Sequence, residues 1–327
     1  MVKLDPNTMP PTVTIILVSW NTRELLRRAL QSIREHAAMP VHVVVVDNAS
    51  GDGSPEMLRA EFPEATLIVN PDNRGFGQAN NRGFAAGDEP LILLLNSDAE
   101  LTPEALPALV DALRQHPQAG VVGARLVFPD GRFQASYNRF PRLAHDALAL
   151  AGLARHFLGP RYPSASERQS HSPRKVDWVG GACMLLRRQA LNQLPGAPGF
   201  DPDYHMYSEE MDLCKRISDA GWAIRYAPEA VVIHHGGQST RQRPLDQPRL
   251  LWESRLLYYA KHRPRHEVQV MAILIRTAYV LRAFAWELLG RLSSGQARST
   301  WLSRAQSARS LIAAPLSPVP EEYDRQC

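Results

Sequence analysis

The sequence predicts an α/β fold with a central mixed sheet, followed by C-terminal amphipathic helices. Three observations carry this. Short, near-continuous apolar runs alternate with amphipathic stretches through the first half of the chain, which is the pattern of strands covered by helices on both faces. Each of the three best runs ends in a polar residue: Ser19, Asp47 or the Asn96-Ser97-Asp98 turn. After about residue 240 the pattern changes to long helices.

The elements follow in order. TVTIILV (12–18) is β-branched and reads as the first strand. Asn21-Thr-Arg-Glu24 reads as a capping box, and Leu25, Leu26, Ala29, Leu30 and Ile33 then recur at helical spacing. VHVVVV (41–46) and TLIV (66–69) are the second and third strands. An Asn/Gly-rich segment and a helix lead to LILLL (91–95), and Pro103 opens a further helix. Leu143–Leu158 is expected as an apolar helix, and residues 159–175 as a basic loop. In open α/β sheets ligands bind beyond the carboxyl ends of the strands, so the polar tips mark one edge as the site.

The 327 residues divide into an expected catalytic domain, 1–240, and a basic helical region, 241–327. With 44% hydrophobic and 21% charged residues the chain is globular rather than disordered. Cys183, Cys214 and Cys327 are scattered, have no metal-ligand spacing and make no disulfide framework, which fits a reducing cytoplasm. The N-terminal residues contain no apolar run of signal-peptide length.

Five segments carry candidate chemistry. In FDPDYHMYSEEMDLCKRI (200–217), Ser208 is a candidate N-cap, followed by Glu209, Glu210 and Asp212. Acidic residues at a helix start are favoured by the macrodipole whatever their role. A carboxylate fixed there can also take a proton from an acceptor hydroxyl. In LLLNSDAEL (93–101), Asp98 just past a strand suits a hard divalent cation shared with a diphosphate, or is a simple turn residue. In Asn73–Gly83, Gly75 and Gly77 allow close backbone approach, and Arg74 offers a guanidinium to phosphate. The third glycine of a dinucleotide fingerprint is missing, and the segment follows the third strand, which argues against nicotinamide binding. His234-His235 follow an apolar strand and can ligate a metal or donate to phosphate, although paired histidines often include one structural member. Trp178-Val-Gly-Gly181 is a close-approach segment or a plain bend.

Taken together and in this order, the five segments resemble the family 2 glycosyltransferases of the GT-A fold, a Rossmann-like nucleotide-diphospho-sugar transferase domain. The likeness is to the bacterial rhamnosyltransferase-like branch and covers roughly residues 12–240. It implies an inverting transferase that moves a sugar, L-rhamnose in that branch, from a dTDP- or UDP-sugar to a saccharide or lipid-linked saccharide in envelope polysaccharide synthesis. It also implies Mg2+ or Mn2+ as cofactor. By resemblance, Val18, Ser19 and Trp20 line the nucleotide pocket and Asp47 pairs with the uracil or thymine ring. Arg74, Gly75 and Asn80 belong to the segment covering the donor. Asn96, Ser97 and Asp98 stand where the family has its Asp-x-Asp metal motif, and Gly181 lies in the donor site. His234 or His235 completes the metal site. Glu209 and Glu210 occupy the acidic pair, with Glu210 the base. Asn96 in place of the first Asp removes a charge, and Glu210 in the slot often held by Asp lengthens the base by one methylene.

Residues 251–310 hold ten Lys or Arg against three Asp or Glu, which points to an anionic partner. Residues 268–289 are mostly apolar but interrupted by Arg276, Arg282 and Glu287, and no run reaches the ~18 uncharged residues of a spanning helix. The expectation is an interfacial helix on an anionic membrane surface, peripheral on the inner face of the cell membrane. A helix buried on protein is the competing reading. Nucleic acid is disfavoured, since the cations are not interleaved with stacking aromatics. Two other functions compete. A sugar-1-phosphate nucleotidyltransferase would show a Gly-rich basic loop after the first strand, where Ser19-Trp20-Asn21-Thr22 stands instead. A non-catalytic sugar- or lipid-binding scaffold would not need Asp98, Glu210 and the histidines. The sequence carries no signal for oligomeric state.

Overall fold

A computed structural model describes residues 12–158, 171–196, 198–236 and 247–313. They form two compact units. One comprises residues 12–140, 171–205 and 209–236 and the other residues 141–158, 206–208 and 247–313, in each case as far as described.

The first unit opens with β1 (Val13–Ser19), α1 (Arg23–His36), β2 (Val41–Asp47), α2 (Ser54–Glu61), β3 (Thr66–Val69), α3 (Gly75–Phe84) and β4 (Leu91–Leu95). These are followed by β5 (Ala99–Leu101), α4 (Ala105–Gln115), β6 (Ala119–Val127), β7 (Phe133–Gln134) and β8 (Tyr137–Asn138). The chain then contributes α5 (Leu143–Leu150) and α6 (Ala154–Phe157) to the second unit. Back in the first unit come β9 (Arg174–Val176), β10 (Trp178–Val179), β11 (Cys183–Arg187), α7 (Arg188–Asn192), α8 (Glu209–Asp219) and β12 (Ala223–His234).

The sheet runs β3-β2-β1-β4-β11-β6-β12-β5, with β7 and β9 added beside β6 and β12, while β8 and β10 pair as a separate ribbon. Neighbours from β3 to β4 are parallel. β11 is antiparallel to both β4 and β6, β6 and β12 are parallel, and β5 is antiparallel to β12. The expected mixed sheet is therefore present, and its arithmetic of directions matters. The ends of β1, β2, β4 and β12 and the start of β11 all reach one edge.

Alternation along β1 divides the core. Ile15 and Leu17 face one layer, packing with Leu26, Leu30 and Ile33 of α1 and Leu106, Leu109 and Leu113 of α4. Ile16 faces the other, with Val44, Val46, Phe84 of α3 and Leu213 and Ile217 of α8. Each such side chain, removed from water, contributes roughly 1.5–3 kcal/mol. Helix α3 lies close on the sheet because Gly83 has no Cβ, which would stand 2.4 Å from Ile16 Cγ2.

Two local expectations are corrected. The capping box at Asn21–Glu24 does not form. Asn21 adopts a left-handed backbone (φ 52°) and its side-chain oxygen accepts from Gly51 N–H. The first N–H of α1, on Arg23, donates instead to Asp52 at 2.8 Å. The single helix expected over 143–158 is broken into α5 and α6 at Gly152, whose φ of 75° cannot continue a helix. Most of the basic loop expected after it lies outside the described residues.

The second unit also holds α9 (Gln247–His262), α10 (Arg265–Leu292) and α11 (Gly295–Ala313). Val268, Met271, Ile275, Tyr279 and Ala283 bury one stripe of α10. Trp252 Nε1 donates to Tyr279 Oη at 3.0 Å, and Arg282 donates to the Leu150 carbonyl at 2.5 Å. Asp146 is buried, accepts from Tyr259 at 3.1 Å and lies 3.9 Å from Arg255; burial pushes its carboxyl above the usual range. Among the described residues α10 is the one helix long and apolar enough to cross a membrane, with mean hydropathy 1.5 over its best window.

Candidate active site

The strand ends assemble three groups of polar side chains on the common edge. The first is a chain of hydroxyls. Ser19, at the end of β1, lies 3.0 Å from Thr22, and Thr22 lies 2.9 Å from Ser97 past β4. All three are buried. Val18 and Trp20 flank Ser19 and are partly exposed.

Asp47 ends β2, fully buried. Its Oδ2 accepts from Ser50 N–H at 2.9 Å, while Oδ1 is buried with no hydrogen-bond partner among the described residues. A buried carboxylate oxygen left bare costs a desolvation penalty of about 1–3 kcal/mol or more, so Oδ1 is an acceptor open to a further donor. The next residue, Asn48, is a hub that sequence reasoning missed. Its amide donates to Asn73 Oδ1 and to the Gly75 carbonyl, both at 3.1 Å, and accepts from Asn70 at 2.7 Å and Arg74 N–H at 3.2 Å. One side chain thus ties the end of β3 to the start of α3. Arg74 is exposed and pairs with Asp72 at 3.1 Å. Gly75 has φ 78°, and a Cβ there would stand 2.1 Å from the His205 carbonyl, so the close approach it permits is by the protein's own backbone. Asn80 is buried and donates to the Phe76 carbonyl one turn earlier in α3, at 2.9 Å.

The second group centres on Asp98. Asn96 to Ala99 close a tight turn through Ala99 N–H and the Asn96 carbonyl, 3.0 Å. His234 ends β12 with Nε2 3.1 Å from Asp98 Oδ1, 3.4 Å from Asn96 Nδ2, and with Nδ1 2.8 Å from Gln134 Oε1. His235 donates its backbone N–H to the Asp98 carbonyl at 2.9 Å, but its ring lies 2.7 Å from Glu100. The two histidines therefore serve different carboxylates. Among the described residues no three His, Cys, Asp or Glu side chains form a ready metal cage. Asp98 and His234 are nevertheless a hard carboxylate and an imidazole side by side. Two protein donors with the rest supplied by phosphate oxygens is the usual manner in which magnesium is held, so these residues fit a cation shared with a diphosphate.

The third group is the acidic pair at the start of α8. Tyr207 and Ser208 immediately before it both have left-handed backbones, φ 68° and 63°. Each such non-glycine residue costs of order 1–3 kcal/mol, and Ser208 lacks the extended conformation of an ordinary N-cap. Glu209 is 3% exposed, and its Oε2 has no hydrogen-bond partner. Burial first, and then the neighbouring Glu210 carboxylate, hold the Glu209 carboxyl well above the usual range. Glu210 is half-buried and accepts from Gly181 N–H at 3.1 Å. Burial raises its carboxyl too, opposed by that hydrogen bond. Gly181 makes room for it, since a Cβ there would stand 2.9 Å from Glu210 Oε1 and 3.0 Å from Phe76 Cε1.

Two hydrogen bonds join the second and third groups. Asn96 N–H donates to the Ala182 carbonyl at 3.1 Å, and the preceding residue, Gly181, donates to Glu210. The antiparallel β11 makes this possible by bringing its start, rather than its end, to the edge beside β4. Thr22, Asn48, Gln134 and Glu100 join the site only through these contacts.

Comparison with known proteins bears on the family and the fold. The model for glycosyl transferase family 2 matches residues 14–194. An N-acetylglucosaminyl-diphospho-decaprenol L-rhamnosyltransferase of Mycobacterium tuberculosis (strain CDC 1551 / Oshkosh) is 34% identical over 254 residues, 72% of this chain and 80% of that one. The rhamnosyltransferase WbbL of Escherichia coli (strain K12) is 27% identical over 239 residues, covering 70% and 85%. Among solved structures, the mannosyltransferase PcManGT of Pyrobaculum calidifontis, in complex with GDP-Man and Mn2+, superposes with TM-score 0.54 at 18% identity. It covers 97% of this chain and 90% of its own. The likeness to that structure is one of fold: a GT-A glycosyltransferase sheet with helices at its C-terminus.

Proposed function

The chain belongs to glycosyl transferase family 2, and from that premise we propose that it is an inverting rhamnosyltransferase. Its donor is a thymidine-diphosphate L-rhamnose, with uridine-diphosphate sugars the neighbouring class. Its acceptor is a lipid-linked N-acetylglucosaminyl diphosphate, the class for which the mycobacterial relative is named. The reaction belongs to envelope polysaccharide synthesis on the cytoplasmic side of the cell membrane.

The observation that carries the reading is the short hydrogen-bonded bridge from the Asn96–Asp98 turn through Ala182 and Gly181 to Glu210. It supports a diphosphate-binding side and a proton-accepting side acting on one sugar between them. The bare Oδ1 of Asp47 suits the ring N–H of a thymine or uracil, both of which present a donor flanked by carbonyls. Val18, Ser19 and Trp20, at the end of the neighbouring strand, would line the nucleotide site beside it. Asn48 holds the Asn73–Gly75 segment in place for the donor. Asp98 and His234, with Asn96 beside them, would hold Mg2+ or Mn2+, which supplies neutralisation of the negative charge left on the departing nucleoside diphosphate. His235 buttresses the turn through its backbone.

Glu210 acts as general base. The acceptor oxygen forms a bond to the anomeric carbon while the bond from that carbon to the diphosphate oxygen breaks on the opposite face. The electron pair leaves with the nucleotide, and the acceptor proton passes to Glu210. A carboxyl raised by burial is better matched to that task near neutral pH than an ordinary one. Glu209, more deeply buried and beside the Glu210 carboxylate, is held well above the usual carboxylate range. Glu210→Gln is expected to abolish rhamnosyl transfer while donor binding, read by calorimetry, stays intact. Full turnover by that variant would remove Glu210 as the base.

A further inference from the structure

We propose that the helical unit docks on an anionic lipid bilayer through α10, lying in the plane of the interface rather than crossing it. The inference extends the action proposed on a lipid-linked acceptor and rests on that reading for its purpose.

Helix α10 spans 28 residues, about 42 Å at 1.5 Å per residue. Its buried stripe occupies one side along most of that length. On the side opposite, Val270, Ile273, Leu281, Phe284, Leu288 and Leu292 recur at helical steps and are exposed, Phe284 by 72% and Leu292 by 77%. At 100° per residue these six fall within roughly a third of the helix circumference. Thr277 lies among them, yet six exposed large apolar side chains on one helix face are more than a soluble surface carries as scattered single residues, and they mark a contact site.

Charge selects the occupant. Helix α11 has 19 residues, including Arg298, Arg304 and Arg309, and no Asp or Glu. Arg276 is exposed on α10 itself. Arg291 is exposed as well and stands at the edge of the stripe, on the same heading as Ile273, so a second copy seated there in antiparallel register would bring like charges together. Phosphate headgroups complement them.

The packing of α11 excludes a spanning orientation. Gly290 of α10 lies against α11, where a Cβ would stand 2.8 Å from Leu302 Cδ2, and Arg309 pairs with Glu287. If α10 crossed the hydrocarbon, it would carry the exposed arginines of α11 in with it, at several kcal/mol each. In the interface plane the apolar stripe enters the acyl boundary, α11 stays on the face of α10 turned away from it, and the arginines bordering the stripe on α10 meet the headgroups.

The test uses the full-length protein sedimented with vesicles of phosphatidylcholine, with and without phosphatidylglycerol. Binding to the anionic vesicles, weakened by salt and released by alkaline carbonate, is expected. The triple change Ile273→Ser, Leu281→Ser, Phe284→Ser should lower partitioning at least ~100-fold. Arg276→Gln with Arg291→Gln should lower it about 25-fold on anionic vesicles, at roughly fivefold per cation. Donor hydrolysis by both variants should match the parent, which separates loss of docking from misfolding. Glu210→Gln should bind vesicles normally, which separates failure of the docking from failure of the transferase reading. Three results would overturn the proposal. These are no sedimentation with anionic vesicles, retention after carbonate, or a stripe variant that turns a dimer into a monomer in light scattering while vesicle binding persists.

Discussion

Replacing Gly181 by alanine tests the position of the base without touching its chemistry. The new methyl would lie 2.9 Å from Glu210 Oε1 and 3.0 Å from both Glu210 Cγ and Phe76 Cε1, where ordinary contact begins at 3.4 Å. Phe76 closes off the other side, so the carboxylate must retreat by about half an ångström (the difference between 3.4 and 2.9). Misplacement by 1 Å can cost about a hundredfold, so half of that predicts a loss of roughly tenfold in kcat. KM for the donor should be unchanged, because the diphosphate side is untouched. The matched control is Gly180→Ala, whose Cβ would meet only the Ser136 carbonyl at 3.8 Å, and which should be silent. Neither glycine has a positive φ, so the pair differs in space and not in backbone strain. Steady-state kinetics with a lipid-free acceptor analogue would read both. Parental kcat in Gly181→Ala would refute the claim that Glu210, held at this distance, performs the proton transfer.

Three further outcomes follow from the same geometry. Asp47→Asn keeps the hydrogen bond to Ser50 available but weakens the bare acceptor at Oδ1; calorimetry should show dTDP or UDP binding fall by roughly ten- to a hundredfold, the worth of a charged hydrogen bond. His234→Ala should remove the strengthening of nucleotide binding by Mn2+, by about tenfold or more, whereas His235→Ala, whose ring serves Glu100, should retain it. Glu209→Gln should raise the melting temperature at pH 8 and leave it unchanged at pH 4. The folded-state pKa of Glu209 lies above its unfolded value, so its contribution is fully present below the unfolded pKa and lost as pH rises through the folded one. The amide cannot ionise and escapes that loss; equal melting temperatures at pH 8 would show that the carboxyl is not held protonated.

What the sequence disclosed, and what it withheld, follows from locality. Unbroken β-branched runs such as Val43–Val46 can only be covered strands, and a polar residue ending each one announces the edge. The Glu209-Glu210 pair was conspicuous for another local reason, two carboxylates at a helix start after a candidate N-cap, Ser208. Asn48 gave no local sign, because its four hydrogen bonds join segments up to 27 residues apart. Thr22 looked like part of a helix cap, yet its hydroxyl is spent on Ser19 and Ser97, and the cap failed because Gly51 and Asp52 offered tertiary partners. The direction of β11 was equally hidden, since nothing in CMLLR tells a strand which way its neighbours run. Gly152 was visible, but a single glycine in a helical pattern does not announce a positive φ. The sequence left open which of His234 and His235 faces Asp98; the structure separates their rings because adjacent residues at a strand end point to opposite sides.

The reversed strand has an architectural consequence. From Val127 to Cys183 the polypeptide departs from the catalytic rim and comes back to it, between a strand that finishes there and one that begins there. Such an excursion is a cassette with both fasteners on one side. Gln134 near its start meets His234 and Gly181 near its end meets Glu210, so a change of length inside it spares the rim as long as these two contacts stay in place.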